Sequence, residues 1–120
     1  MPCMAEMPHL VKVASEFESE GGRVIAISED LFVPRATRES ALEKVKKAVA
    51  ARGMKFPVLI LEEKNLDGLN ERFDLPGPIP CTIAFDKDGK EVDRAEEGAD
   101  EARLREMFLR ALGKKPPVVR

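Results

Sequence analysis

The sequence is short of the groups that several kinds of protein depend on. It holds two cysteines, Cys3 and Cys81, and one histidine, His9. Two thiols cannot build a disulfide scaffold or a four-ligand zinc site, and one imidazole leaves metal chemistry few ligands. Thiol redox work stays open. No apolar run approaches the ~20 residues that cross a bilayer. The opening Met1-Pro2-Cys3-Met4-Ala5-Glu6 has neither the basic nor the apolar region of a secretion signal. There is also no excess of positive charge. Lys and Arg number 20 against 22 Asp and Glu, a formal net charge of -2, which disfavours generic nucleic-acid binding.

What is present fits one folded domain. A chain of 120 residues with 43% hydrophobic and 35% charged residues has enough aliphatic content for a core and too little length for two. Met7, Leu10, Val11, Ala14 and Phe17 recur at three and four residues, which predicts a helix ending at Gly21-Gly22. Pro8 is harmless if that helix starts near Glu6 and bends it if it starts at Cys3. Val24-Ile25-Ala26-Ile27 is a β-branched run without alternation, the pattern of a central strand buried on both faces. Ser40-Ala41-Leu42-Glu43 offers a capping box for a second helix with Leu42, Val45 and Val49 inward, stopped by Gly53.

Phe56 to Leu61 resumes a strand pattern, with Pro57 favouring its start or an edge. Leu66, Leu69 and Phe73 suggest a short third helix. Three prolines in Pro76-Gly77-Pro78-Ile79-Pro80 forbid regular structure. Cys81 to Phe85, the turn Asp86-Lys87-Asp88-Gly89 and a return strand near Lys90 to Arg94 make an antiparallel hairpin. Asp100 can cap a last helix carrying Leu104, Met107, Phe108, Ala111 and Leu112 on one face, closed by Gly113. The order αβαβαββα predicts an α/β fold with helices on a largely parallel sheet, spanning residues 1–113 with a tail at 114–120.

The residues with most chemistry are Pro2-Cys3-Met4-Ala5-Glu6-Met7-Pro8 and Ile79-Pro80-Cys81-Thr82. The first resembles the second half of the Trp-Cys-x-Pro-Cys-x-x-Glu-Met-Pro signature of TlpA/ResA-like thiol-disulfide oxidoreductases, a branch of the thioredoxin superfamily. Ile79 to Gly89 resembles that family's Ile-Pro-Thr-Thr-Phe-Leu-Ile-Asp-x-x-Gly segment, whose proline is cis. The likeness runs from Met1 to about Leu112 and implies a thioredoxin-like fold. It further implies exchange of protein disulfides as in cytochrome c maturation, an address outside the cytoplasm, and no cofactor.

Carried over, Cys3 is the second, resolving cysteine, Glu6 a proton-handling group beside it, and Pro2, Ile79 and Pro80 the walls of a substrate groove. The first cysteine, which attacks as a thiolate, has no counterpart, and without it the two-electron cycle cannot run on this motif. The central strand that precedes the motif in the family has no counterpart either. We therefore expect an N-terminally shortened version of a longer protein, marginal alone, or one that repacks or borrows a strand from another chain.

Plainer readings stand beside these. Cys3 can be an ordinary free thiol, Glu6 an acid favoured by a helix N-terminus, and Pro80 a purely structural residue. Cys81, where the family has Thr, can be a core residue. It can also be a replacement partner for Cys3, given Cα atoms within ~7 Å. A solvated His9 is expected. Asp86-Lys87-Asp88-Gly89 lacks the closing Glu of a calcium loop, so calcium binding is rejected. A redox-inactive thioredoxin-fold binding domain is the alternative to the oxidoreductase.

Overall fold

The computed structural model of the chain describes residues 2–32, 35–76, 80–96 and 98–114, with only the backbone of 2–5, 30 and 63. The expected element order is observed: α1 (Pro2–Phe17), β1 (Ala26–Ser28), α2 (Arg38–Arg52), β2 (Val58–Ile60), α3 (Leu66–Phe73), β3 (Thr82–Phe85), β4 (Glu91–Ala95) and α4 (Glu101–Ala111). Among the described residues the strands form two separate two-stranded sheets, a parallel β1–β2 pair and an antiparallel β3–β4 pair. Contacts likewise divide the chain into two units, residues 24–76 and the segments 1–23 with 77–120.

In the second of these units α1 and α4 pack together and α4 also lies on both strands of the hairpin. Their shared core is Leu10, Val13 and Phe17 from α1 with Leu104, Met107 and Phe108 from α4, all buried. Phe17 and Phe108 stack with ring centroids 5.1 Å apart. Gly22 passes against this pair. A Cβ there would stand 3.0 Å from Phe108 Cδ1 and 3.0 Å from Phe17 Cβ, so the chain crosses the stacked rings at a residue without a side chain. Asp100 caps α4 as the sequence suggests, its carboxylate accepting from Arg103 N at 2.8 Å. The hairpin turn is closed by Asp86 Oδ1, which accepts from Asp88 N at 2.9 Å and Lys90 N at 3.0 Å. The Asp86 carboxylate thus serves the turn.

In residues 24–76, β1 and β2 run parallel with Ile27 beside Leu59. Several expectations change here. The apolar run at β1 is not buried on both faces: Ile25 is 66% exposed, Ile27 46% and the paired Leu59 55%. Its only strand partner among the described residues is β2. A strand is buried on both sides only when other elements cover both, and no run of residues supplies that by itself.

The capping box of α2 lies three residues earlier than Ser40-Glu43. Thr37 accepts from Ser40 N at 3.0 Å while Ser40 Oγ accepts from Thr37 N at 2.8 Å, so the helix opens at Arg38. Ala41 and Val45 are buried, whereas Leu42 turns outward at 44% exposure. Gly53, at φ 63, ends the helix as expected. The Pro-rich loop falls partly outside the described residues, at 77–79, as does nearly all of the 114–120 tail.

Candidate functional site

α1 opens at Pro2, whose fixed φ suits a first helical position and whose missing N–H leaves no bond unmade there. Pro8 consequently lies inside the helix, where it forgoes one backbone bond. The early start puts the Cys3 backbone in the first turn of the helix. The side chains of Pro2 and Cys3, and the whole of Ile79, lie outside the described residues.

Glu6 is one turn further on and is 6% exposed. It lies beyond the first turn, where the dipole's favour for an acid has faded. Two donors reach its carboxylate: Thr82 Oγ1–H to Oε1 and the Ala99 N–H to Oε2, each at 3.4 Å. Three elements of one unit, α1, β3 and the approach to α4, therefore converge on one buried acid. Burying a carboxylate without hydrogen bonds is costly, and these two donors offset part of that cost. Thr82 and Ala99 are the residues that sequence reasoning missed. They stand 76 and 93 positions from Glu6, and no local pattern links them.

Pro80 is half-buried immediately before the β3 region, and Cys81 after it is half-buried with a free thiol. Burial pushes the Cys81 thiol above its ordinary value; Arg94 works against that shift while Glu96 and Glu91 add to it. Ile83 pairs with Arg94 on the hairpin face opposite Thr82. Cys81 itself lies just before β3, whose register begins at Thr82. His9 is exposed, its Nδ1 3.7 Å from Glu101. Among the described residues no group of three His, Cys, Asp or Glu could hold a metal ion.

No family model matches the chain. Among curated proteins it is 31% identical over 93 residues to thiol-disulfide oxidoreductase ResA of Bacillus anthracis and of Bacillus thuringiensis (strain Al Hakam), a stretch that is 78% of this chain and 46% of theirs. It is 28% identical over 109 residues to ResA of Halalkalibacterium halodurans, 90% of this chain and 53% of that one. The chain thus spans about half the length of the curated relatives it matches. A thiol:disulfide interchange protein of the thioredoxin family from Chlorobium tepidum TLS shares the fold, with a TM-score of 0.70 and 23% identity, over 93% of this chain and 72% of its own. The chain thus has a thioredoxin-like fold and is similar in sequence to the ResA thiol-disulfide oxidoreductases over about half of their length.

Proposed function

We propose that this domain takes part in thiol–disulfide exchange with proteins, with Cys3 as its reacting thiol and Glu6 as the group that handles the proton. The observation that carries the reading is the placement of Cys3 in the first turn of α1, one turn before a buried carboxylate held against the strand that follows Pro80. Cys3, the resolving position in the family it resembles, here takes the attacking step: its thiolate attacks one sulfur of a partner disulfide. A new S–S bond forms, the old one breaks, and the departing sulfur leaves as a thiolate that takes up a proton. A second thiol must then attack the mixed disulfide to release a reduced partner. We assign Cys81 a minor part in this, since its raised pKa leaves little thiolate at neutral pH. Pro2, Ile79 and Pro80 would line the substrate groove. As in the family it resembles, the domain would act outside the cytoplasm, where disulfides persist. Among the described residues no helix is long and apolar enough to cross a membrane.

Alkylation at pH 7, read thiol by thiol by mass spectrometry, tests the assignment. Cys3 should react at least about tenfold faster than Cys81, and the Cys81 rate should climb about tenfold per pH unit until its high pKa is reached. Cys3→Ser should abolish formation of a mixed disulfide with an aromatic disulfide, and Cys81→Ser should leave it in place. A Cys81 that outruns Cys3 overturns the reading. The second reading, a redox-inactive binding domain, is favoured by the raised pKa of Cys81, which burial keeps in the thiol form. Failure to speed insulin reduction by dithiothreitol, with both thiols free, would support it.

The partner of β1 is proposed to be a strand from another copy of the chain. Val24 to Ser28 carries neither a charge nor a proline, the usual guards of an exposed strand, and Ile25 and Ile27 are exposed. Sedimentation velocity should find a concentration-dependent dimer that Ile27→Lys shifts to monomer. A wild-type chain that stays monomeric up to about 100 μM, where strand-mediated association is otherwise a hazard, removes this partner.

A further inference from the structure

We infer that Thr82 is a positioning residue for Glu6, its hydroxyl being the side-chain contact that holds the buried carboxylate toward the start of β3. The inference rests on the reading of Glu6 as the proton-handling group beside Cys3. Glu6 is 6% exposed, yet among the described residues it has no ion pair, and its contacts are the two neutral donors Thr82 Oγ1 and Ala99 N. The charged groups around it are committed elsewhere. On α1, His9 and Lys12 turn to Glu101 at 3.7 and 3.0 Å. On β4, Asp93 is held by Arg103, and Asp100 beside Ala99 caps α4. Cys81, the titratable neighbour of Thr82, feels Arg94, Glu96 and Glu91.

Both donor distances are 3.4 Å, longer than the usual hydrogen-bond range, and among the described residues no other donor reaches the carboxylate. The Ala99 donor is backbone and fixed. The Thr82 hydroxyl can rotate, donating to the carboxylate or accepting from a protonated Glu6. Thr82 can therefore follow Glu6 through a proton transfer without any movement of the chain.

The test is the carboxyl ¹³C signal of Glu6 at pH 7 in the full chain labelled with ¹³C at glutamate carboxyls, the Glu6 signal being the one lost in Glu6→Gln. Thr82→Val removes the hydroxyl and keeps the shape. If the hydroxyl holds the carboxylate, its loss should move the Glu6 signal from its wild-type position. Thr82→Ser should return it. Thr82→Ala removes the same hydroxyl with less bulk and serves if the valine variant does not fold. A signal unmoved in a folded hydroxyl-less variant, or moved as far by serine as by valine, overturns the inference. The reading beneath it fails separately. If Glu6→Gln leaves the pH profile of Cys3 alkylation unchanged, Glu6 does not serve Cys3, whatever the Glu6 signal says about Thr82.

Discussion

Leu104→Ala should lower stability by about 3 kcal/mol, within the range of about 2–5 kcal/mol for deleting a buried leucine side chain. Leu104 is 1% exposed on α4, the helix that packs on α1, β3 and β4 together. Val13, at 0%, and Met107, at 3%, lie in the same α1–α4 core, and the stacked Phe17 and Phe108 close it. Rings in flat contact have few alternative rotamers, and Gly22 presses on both, so the walls of the resulting cavity have little freedom to collapse. The cost should therefore sit well above the lower bound. Leu42→Ala is the control, since Leu42 is 44% exposed and its loss should cost less than about 1 kcal/mol. The sequence has no tryptophan, so urea unfolding is best followed by far-ultraviolet circular dichroism. Equal losses for the two variants would mean that α4 is not the centre of the core.

The contrast between these two leucines marks how far sequence could be read. The α4 stripe of Leu104, Met107 and Phe108 was legible because a helix with one strong apolar face has one way to bury it. Asp100, Gly53 and the Asp86 turn were legible for a similar reason, each being a local bond between near neighbours. Leu42 was not, because Ala41, Leu42 and Val45 lie close enough around the helix for either side of that cluster to face inward. The cap of α2 was misplaced because hydroxyl residues at both Thr37 and Ser40 satisfy the same pattern, and only the reciprocal bonds decide between them. The exposure of Ile25 and Ile27 was hidden for a different reason. Burial of a strand depends on distant neighbours, and the run itself carries no record of them.

The site divides in the same way. Cys3, Glu6 and Pro80 could be named because a resemblance ties those residue types to those spacings. That Glu6 is buried, and that Thr82 and Ala99 hold it, could not, since the contacts join residues far apart in the chain. That Thr82 rather than Ile83 shares a face with Glu6 depends on the hairpin register, and a one-residue slip would exchange the two faces.

Asp93→Asn should cost about 1–3 kcal/mol at pH 7, the range for a hydrogen bond to a charged group. Asp93 on β4 is 12% exposed and takes both arms of Arg103, Nη1 to Oδ2 at 2.6 Å and Nη2 to Oδ1 at 2.7 Å, with Arg110 Nε 3.5 Å away. Arg103 also donates to Arg94 O at 3.0 Å, so the pair ties α4 to the hairpin and leaves few of its donors unused. The Arg103 guanidinium, more than any other neighbour, holds the Asp93 carboxyl below its ordinary value, against the opposing effect of burial. A depressed folded-state pKa fixes the sign. The stabilisation is fully present above the unfolded aspartate value of about 3.9 and is lost as pH falls through the lower folded-state value. Wild type should therefore weaken from about pH 4 downward, while Asp93→Asn, already without the charge, should decline less, so that the two stabilities approach each other once pH falls below the lowered folded-state value. Arg103→Ala should be worse than Asp93→Asn at pH 7, because it leaves a largely buried carboxylate without its partner. Parallel pH curves for wild type and Asp93→Asn would show that the acid sensitivity of the fold lies elsewhere.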